Sequence, residues 1–184
     1  PCKEDHELVD LMYQAGFVSL FVGIESGSQT DLTLFHKLAS VEDNRKVLPL
    51  LYSHKIKPEY EMIMFHPYAT LDTLKENFLF LRDVKSYNYR NYTLTGVSIY
   101  QNTELYRQAL RDGLLAEGYS YKEPDLYHYK NKEVAQMANF IKEHFEMNRE
   151  IGKLVTADQL VTYFYRFSRY SDSVKTMEDK IKKV

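Results

Sequence analysis

The chain has 184 residues, with 24 Lys and Arg against 26 Asp and Glu, one cysteine (Cys2) and no Trp. One cysteine excludes an internal disulfide framework and a self-contained iron–sulfur cluster, since each needs several thiolates. The net charge of −2 argues against a nucleic-acid binder. No apolar run reaches the roughly 20 residues of a membrane span. A lone cysteine is typical of the reducing cytoplasm, so we expect a cytoplasmic protein. The chain starts at Pro1, without Met, as expected of part of a longer protein.

The first half of the chain alternates between helical and extended patterns. The first helix is predicted to bury one apolar face, which carries Leu8, Leu11, Met12 and Ala15. The apolar run at residues 17–24 predicts a strand buried on both faces, which is typical of parallel sheets. A short helix is expected at residues 30–38. Ser40 and Asp43 have the spacing of a capping box at the start of the next helix.

The same alternation continues to Gly113. Strands are predicted at residues 60–65 and 92–100, and Thr70 is expected to cap the helix between them. Residues 5–113 therefore have the pattern αβ-αβ-αβ-α, which predicts an α/β fold with three parallel strands and flanking helices.

The remainder of the chain differs in composition. Residues 117–130 are rich in Tyr, and we favour a packed loop over a partner-binding surface for them. Two helices are predicted next, and the second begins with a capping box at Thr156 and Gln159. We therefore divide the chain into a first unit at 1–116 and a helical tail at 117–184.

Polar residues follow the first predicted strand, at Glu25, Ser26, Gly27 and Ser28. Ligands bind at the carboxyl ends of parallel strands in α/β folds. The Glu25 carboxylate is suited to accept hydrogen bonds from ribose hydroxyls, and Gly27 permits close approach of the backbone. The alternative is a plain strand-to-helix turn in which Ser28 caps the next helix.

The sequence GIESGSQ at residues 23–29, followed by Leu32 and Lys37, resembles the fourth-strand region of radical S-adenosylmethionine (SAM) enzymes. The resemblance is to the branch that often carries a cobalamin-binding domain upstream. Two further segments are similar to this family in the same order. They are the end of the second predicted strand, where Pro67 precedes Thr70, and residues 102–115, which are similar to the family's GT-x-L-Y…GLL.

The resemblance implies the carboxyl-terminal half of a partial (βα) barrel. The family's CxxxCxxC loop, which binds a [4Fe–4S] cluster, is absent, and Cys2 lies in the wrong place to replace it. The implied partner is the missing amino-terminal half of the barrel. The chain alone is then expected to be inactive, and to form a homodimer or cover its open inner face with the tail.

The resemblance also implies site residues. Glu25 and Ser26 would face the ribose and methionyl parts of SAM, with Gly27 between strand and helix, and Lys37 would pair with the SAM carboxylate. Phe65 would pack on the adenine. For His66 the choice lies between a ligand or acid–base role and a hydrogen-bonded structural histidine.

Two other functions compete with this prediction. One is a non-radical α/β module that binds a nucleotide or small molecule at the same strand end. The other, a barrel hydrolase with paired carboxylates, is disfavoured because Glu59 and Glu61 lie at the wrong end of their strand relative to Glu25.

Overall fold

The computed structural model describes residues 3–84, 96–122 and 127–146. Six helices and two strands have defined bounds there, in the order α1 (Lys3–Gln14), β1 (Ser19–Glu25), α2 (Gln29–Leu34), α3 (Val41–Ser53), β2 (Lys57–Met62), α4 (Leu71–Asp83), α5 (Glu104–Arg111) and α6 (Lys132–Glu146). None of the helices in these ranges combines the length and apolarity needed to cross a bilayer.

The two strands pair in parallel, as predicted from the βα alternation. Ser19 lies opposite Lys57 and Val22 opposite Tyr60, and the register shifts between Val22 and Glu25. Ile63 N–H then donates to the Glu25 carbonyl at 2.7 Å. The carboxyl ends of both strands therefore lie side by side at one edge of the sheet.

The third predicted strand falls mostly outside the described residues. Of residues 92–100, the structure describes 96–100, where Gly96 forms an isolated parallel bridge with Phe65. Val97 N–H donates to the Phe65 carbonyl at 3.0 Å. The chain thus returns in parallel beside the end of β2, while a three-stranded sheet is not established.

Helix starts follow the predicted capping signals. The Ser40 hydroxyl accepts from Asp43 N–H, and the Asp43 carboxylate accepts from Ser40 N–H. Thr70 caps α4 in the same reciprocal way with Thr73. Gly16 and Gly113 follow α1 and α5 with φ of +96° and +67°, as expected of residues that end helices in the left-handed conformation.

The predicted buried face of α1 is wrong. Leu8 and Leu11 are 58% and 62% exposed, whereas Val9 is buried. Val9 packs in a cluster with Leu50, Leu51 and Ile56, which Met12 and Tyr13 also contact. The helix carries two overlapping apolar stripes, and α3 covers only one of them.

Strand β1 is also less buried than its apolar sequence predicts. Phe21 is 63% exposed, whereas Ile24 is inaccessible to solvent. The main cluster packs Ile24 with Met62, Met64 and Phe80. One face of β1 therefore belongs to the core and the other has no cover within the described ranges.

The Tyr-rich segment packs against the strand ends. The Tyr127 hydroxyl donates to the Phe65 carbonyl at 3.0 Å. The Tyr119 hydroxyl donates to the Ile99 carbonyl at 3.1 Å and accepts from Ile99 N–H at 2.7 Å. These contacts support the packed-loop interpretation, in which tyrosine hydroxyls hydrogen-bond to backbone groups at Phe65 and Ile99.

Tyr68 gives the turn after β2 a pH dependence. Its hydroxyl donates to the Asp112 carboxylate at 2.9 Å. Burial, together with that hydrogen bond and the Asp112 charge, raises the pKa of Tyr68 from 10.0 to about 12. Because the fold favours the neutral phenol, this stabilisation is complete below pH 10 and is lost as the pH rises towards 12.

We therefore expect the free energy of unfolding to fall more steeply above pH 10 in the native protein than in Tyr68→Phe. Urea unfolding at a series of alkaline pH values measures this difference. Exposed Tyr100→Phe serves as the control and should leave the slope unchanged. Equal slopes for the native protein and Tyr68→Phe would contradict the assignment.

Candidate functional site

The candidate site lies where β1 and β2 end. Three elements supply its side chains: the turn at residues 25–28 after β1, the helix α2 that follows it, and the turn at residues 63–70 after β2. Helix α4 closes it from below through Asn77 and Phe80, both inaccessible to solvent.

Glu25 and Lys37 form the accessible part of this site. The Lys37 ammonium lies 2.9 Å from Glu25 Oε1, with side chains 37% and 25% exposed respectively. Glu25 has a φ of 61°, which costs a residue other than glycine about 1–2 kcal/mol. A Cβ on Gly23 would lie 3.0 Å from Glu25 Oε1 and 3.1 Å from Lys37 Nζ. The sequence thus leaves room for this ion pair and holds Glu25 in an unfavourable backbone conformation.

Ser26 lies immediately below and is fully buried. Its hydroxyl oxygen is 2.7 Å from Asn77 Oδ1 and 3.0 Å from Asp31 Oδ2, and it accepts from Ser28 N–H at 3.0 Å. Protein groups therefore occupy its hydrogen-bonding capacity in this conformation.

Asp31 is the centre of a buried polar network. Its Oδ2 accepts from Asn77 Nδ2 at 3.2 Å as well as facing Ser26, and its Oδ1 lies 3.1 Å from His66 Nε2. Asp31 and His66 are almost completely inaccessible to solvent. Because both Ser26 and His66 hydrogen-bond to the carboxylate and not to each other, His66 cannot take a proton directly from Ser26. The arrangement is therefore not that of a serine hydrolase.

Two asparagines hold the turn backbone. Asn44 Nδ2 donates to the carbonyls of Ile24 and Ser26 at 2.9 and 3.2 Å. Asn77 Oδ1 accepts from Gly27 N–H at 2.6 Å. Sequence reasoning missed both residues and Asp31. The sequence did contain a signal for Asn77. This polar residue lies on the apolar stripe of α4, three positions after Leu74 and four before Leu81.

Gly27 is required by a packing contact within the protein. A Cβ at this position would lie 2.2 Å from Phe80 Cβ and 2.6 Å from Phe80 Cγ. The predicted close approach of the Gly27 backbone is therefore present, and the group it approaches is Phe80.

Ser28 and His66 each keep one unsatisfied polar atom. Within the described ranges, Ser28 Oγ and His66 Nδ1 are the buried side-chain atoms that have no hydrogen-bond partner. Ser28 occupies the N-cap position of α2, yet its side chain makes no capping hydrogen bond. The alternative that Ser28 merely caps the helix is therefore not realised through its hydroxyl.

Phe65 and His66 are packed among aromatic rings. Phe65 is 3% exposed and meets Tyr129 edge-on at 6.3 Å between ring centroids. His66 meets Phe35 in the same manner at 5.1 Å. In this conformation neither ring is open to a ligand, whereas Glu25 and Lys37 are.

The described residues offer no metal site, because no three His, Cys, Asp or Glu side chains among them lie close enough to share an ion. Cys2 lies outside the described residues. The residues that the structure describes thus do not fit an iron–sulfur cluster, which needs several thiolates.

Comparison with known proteins finds similar curated proteins and a similar solved structure. No protein-family model matches the chain. The anaerobic magnesium-protoporphyrin IX monomethyl ester cyclase of Rubrivivax gelatinosus is 29% identical over 79 residues, 43% of this chain. The enzyme of the same name from Cereibacter sphaeroides is 32% identical over 76 residues, 41% of this chain.

The solved structure of the cobalamin-dependent S-adenosylmethionine radical enzyme OxsB with aqua-cobalamin bound matches 92% of this chain, with a TM-score of 0.65 and 19% identity. The resemblance to radical SAM enzymes is confirmed. At 19% identity, the match to the OxsB structure shows a similar fold. The chain spans 32% of OxsB and 14% and 12% of the two cyclases.

Proposed function

We propose that this chain is the carboxyl-terminal half of a radical SAM barrel, and that SAM binds where β1 ends. The observation that carries the proposal is the Glu25–Lys37 pair. This charged pair is accessible to solvent and lies above a buried polar network, at the sheet edge where α/β folds bind ligands.

The two charges match the two ends of SAM. Glu25 accepts hydrogen bonds from the ribose hydroxyls, and Lys37 pairs with the methionyl carboxylate. Unfavourable backbone conformations concentrate at functional sites because surrounding packing must hold them, and Glu25 at φ 61° fits that pattern.

The buried residues contribute differently. Ser26, Gly27 and His66 shape the turn that presents Glu25, since their side chains or backbone groups contact Asp31, Asn77 and Phe80. Phe65, three residues beyond β2, would pack on the adenine, and its ring would then have to move away from Tyr129.

In the intact protein, a [4Fe–4S] cluster bound outside this chain would supply the electron for reductive cleavage of SAM to methionine and a 5′-deoxyadenosyl radical, which would abstract hydrogen from a substrate. Glu25 and Lys37 of this chain would hold SAM for that cleavage. The thiolates for the cluster come from outside this chain, so the chain alone is inactive. A cobalamin domain upstream would agree with the name of the matched structure.

The decisive experiment measures SAM binding to the intact protein by calorimetry. Glu25→Gln removes a charged acceptor and keeps its shape, so we expect the dissociation constant to rise roughly tenfold or more, as for other hydrogen bonds to charged groups. Glu42→Gln, an exposed carboxylate paired with Lys46 on α3, is the control and should bind normally.

An unchanged dissociation constant in Glu25→Gln would overturn the assigned role. The upstream sequence tests the broader proposal independently. A CxxxCxxC segment before the first residue of this chain supports the radical SAM function, and its absence favours the non-radical binding module.

A further inference from the structure

The carboxylate that we assign to the ribose of SAM is already paired within the chain. Lys37 Nζ lies 2.9 Å from Glu25 Oε1. A ribose presents two neighbouring hydroxyl donors, and a diol that bonds to both oxygens of Glu25 meets the Lys37 ammonium at one of them. The inference below rests on the proposed SAM site and concerns which ligands that site admits.

The backbone around Lys37 is held in place. Helix α2 ends in a Schellman motif, in which Lys37 N–H donates to the Leu32 carbonyl at 2.9 Å. In the same motif, His36 N–H donates to the Thr33 carbonyl at 3.1 Å, and His36 is the left-handed residue, with a φ of 55°. Movement of the Lys37 ammonium therefore comes from its side chain and not from the loop.

Glu25 is the more constrained member of the pair. Its carbonyl accepts from Ile63 N–H at 2.7 Å, and its side chain is 25% exposed against 37% for Lys37. The lysine has a flexible four-carbon stem and three donors that can turn to another acceptor. When the pair opens, Lys37 is thus the side chain that moves, while Glu25 stays at the end of β1.

The cost of opening the pair depends on the ligand. A nucleoside derivative that carries a carboxylate on its 5′ side chain offers Lys37 a second anion, so one charge pair replaces another. A neutral nucleoside breaks the pair and offers no anion in return. We propose that Lys37 is a specificity-determining residue, which exchanges Glu25 for the carboxylate of the ligand and so selects carboxylate-bearing nucleosides over neutral ones.

Calorimetry with two related compounds measures this selection in the intact protein. S-Adenosylhomocysteine and 5′-methylthioadenosine share adenine, ribose and a neutral sulfur, but the amino acid group with its carboxylate is present in the first alone. In Lys37→Met, we expect the dissociation constant of S-adenosylhomocysteine to rise roughly tenfold, as for a lost hydrogen bond to a charged group. That of 5′-methylthioadenosine should fall about two- to fivefold, the range that corresponds to a partly exposed ion pair.

Lys46→Met is the matched control. Lys46 pairs with Glu42 at 3.4 Å on the surface of α3, so its loss should leave both dissociation constants unchanged. An unchanged constant for either compound in Lys37→Met would overturn the exchange, because Lys37 would then not compete with the ribose or not bind the carboxylate. If S-adenosylhomocysteine did not bind the native protein, the proposed SAM site would itself fail, and this inference with it.

Ionic strength gives a second measurement of the competition. Screening at about 1 M potassium chloride, where the Debye length is about 3 Å, weakens the partly exposed Glu25–Lys37 pair. Because 5′-methylthioadenosine is uncharged, we expect the native protein to bind it more tightly at high salt, and Lys37→Met to lack this gain. The same response to salt in both proteins would contradict the exchange.

Discussion

Asp31→Ala is expected to lower the free energy of unfolding by about 3–5 kcal/mol, the usual cost of removing one member of a buried charged or polar pair. In a region inaccessible to solvent, the carboxylate of Asp31 accepts from Asn77 Nδ2 at 3.2 Å and lies 3.1 Å from His66 Nε2 and 3.0 Å from the Ser26 hydroxyl, whose one proton it shares with Asn77 Oδ1. Without it, Asn77 Nδ2 and His66 Nε2 stay buried and lose their acceptor, and each unsatisfied group costs about 1–3 kcal/mol.

Urea unfolding followed by circular dichroism measures the change, and the melting temperature should fall by roughly 10 °C in a chain of this size. Asp83→Ala is the matched control. The hydrogen bonds from Arg45 and Arg82 lower the pKa of Asp83, but the group is at the surface, so its loss should change stability little.

Asp31→Asn refines this expectation. Asparagine keeps the size of the side chain but replaces one acceptor oxygen with a donor, so at least one of the three contacts is lost. We expect a destabilisation between those of Asp83→Ala and Asp31→Ala. If Asp31→Ala shifted the urea midpoint no more than Asp83→Ala, the buried network would not be what holds the strand ends together.

Gly27→Ala should be the most damaging single-methyl addition at the site. The new Cβ would lie 2.2 Å from Phe80 Cβ, far inside van der Waals contact, and Phe80 is fully enclosed by the core. The turn must therefore move away from α4 and weaken the 2.6 Å hydrogen bond from Gly27 N–H to Asn77. Overpacking of this kind costs about 3 kcal/mol.

Gly113→Ala is a control that distinguishes the effect of steric crowding in Gly27→Ala from the effect of backbone strain. Gly113 has a φ of +67° and no atom within 4 Å of the new Cβ, so only the left-handed conformation, about 1–2 kcal/mol, opposes alanine there. Phe80→Leu should not rescue Gly27→Ala, because leucine keeps the Cβ that collides. A Gly27→Ala protein as stable as Gly113→Ala would contradict the close contact.

The sequence predicted the local features of the fold well. The capping pair Ser40–Asp43 forms and Thr70 caps α4, and β1 and β2 are parallel. These features depend on residues a few positions apart or on the alternation of helix and strand, which the sequence displays directly. The third predicted strand, the domain boundary at 116 and the second tail helix stay predictions.

Lateral packing was harder to predict. The sequence of α1 allows a stripe through Leu8 and Leu11 or one through Val9 and Met12, and α3 covers the second. Likewise, an apolar strand is compatible with burial on one face or two, and Phe21 shows that β1 is covered on one. Which stripe is buried depends on a neighbouring element that periodicity does not identify.

The strand-end site shows the same division. Glu25, Ser26 and Gly27 could be singled out because a polar, glycine-containing stretch at the end of an apolar strand is visible in the sequence. His66 was noted at the end of the second predicted strand, and Lys37 only through the family resemblance. The sequence also indicated the radical SAM family through the spacing of three motifs. Chemistry and order are properties of short segments, so they can be recognised without a structure.

Only the tertiary structure decided which of these side chains are accessible to solvent. Ser26 and Asn77 are 51 positions apart and hydrogen-bonded at 2.7 Å, and His66 reaches Asp31 across 35 positions. These partners consume the polar groups of Ser26 and of one side of His66, and leave Glu25 and Lys37 accessible. Hydrogen bonds between distant segments form only when the core brings them together, because the hydrophobic packing that aligns β1, β2 and α4 is not specified by any single stretch of the chain.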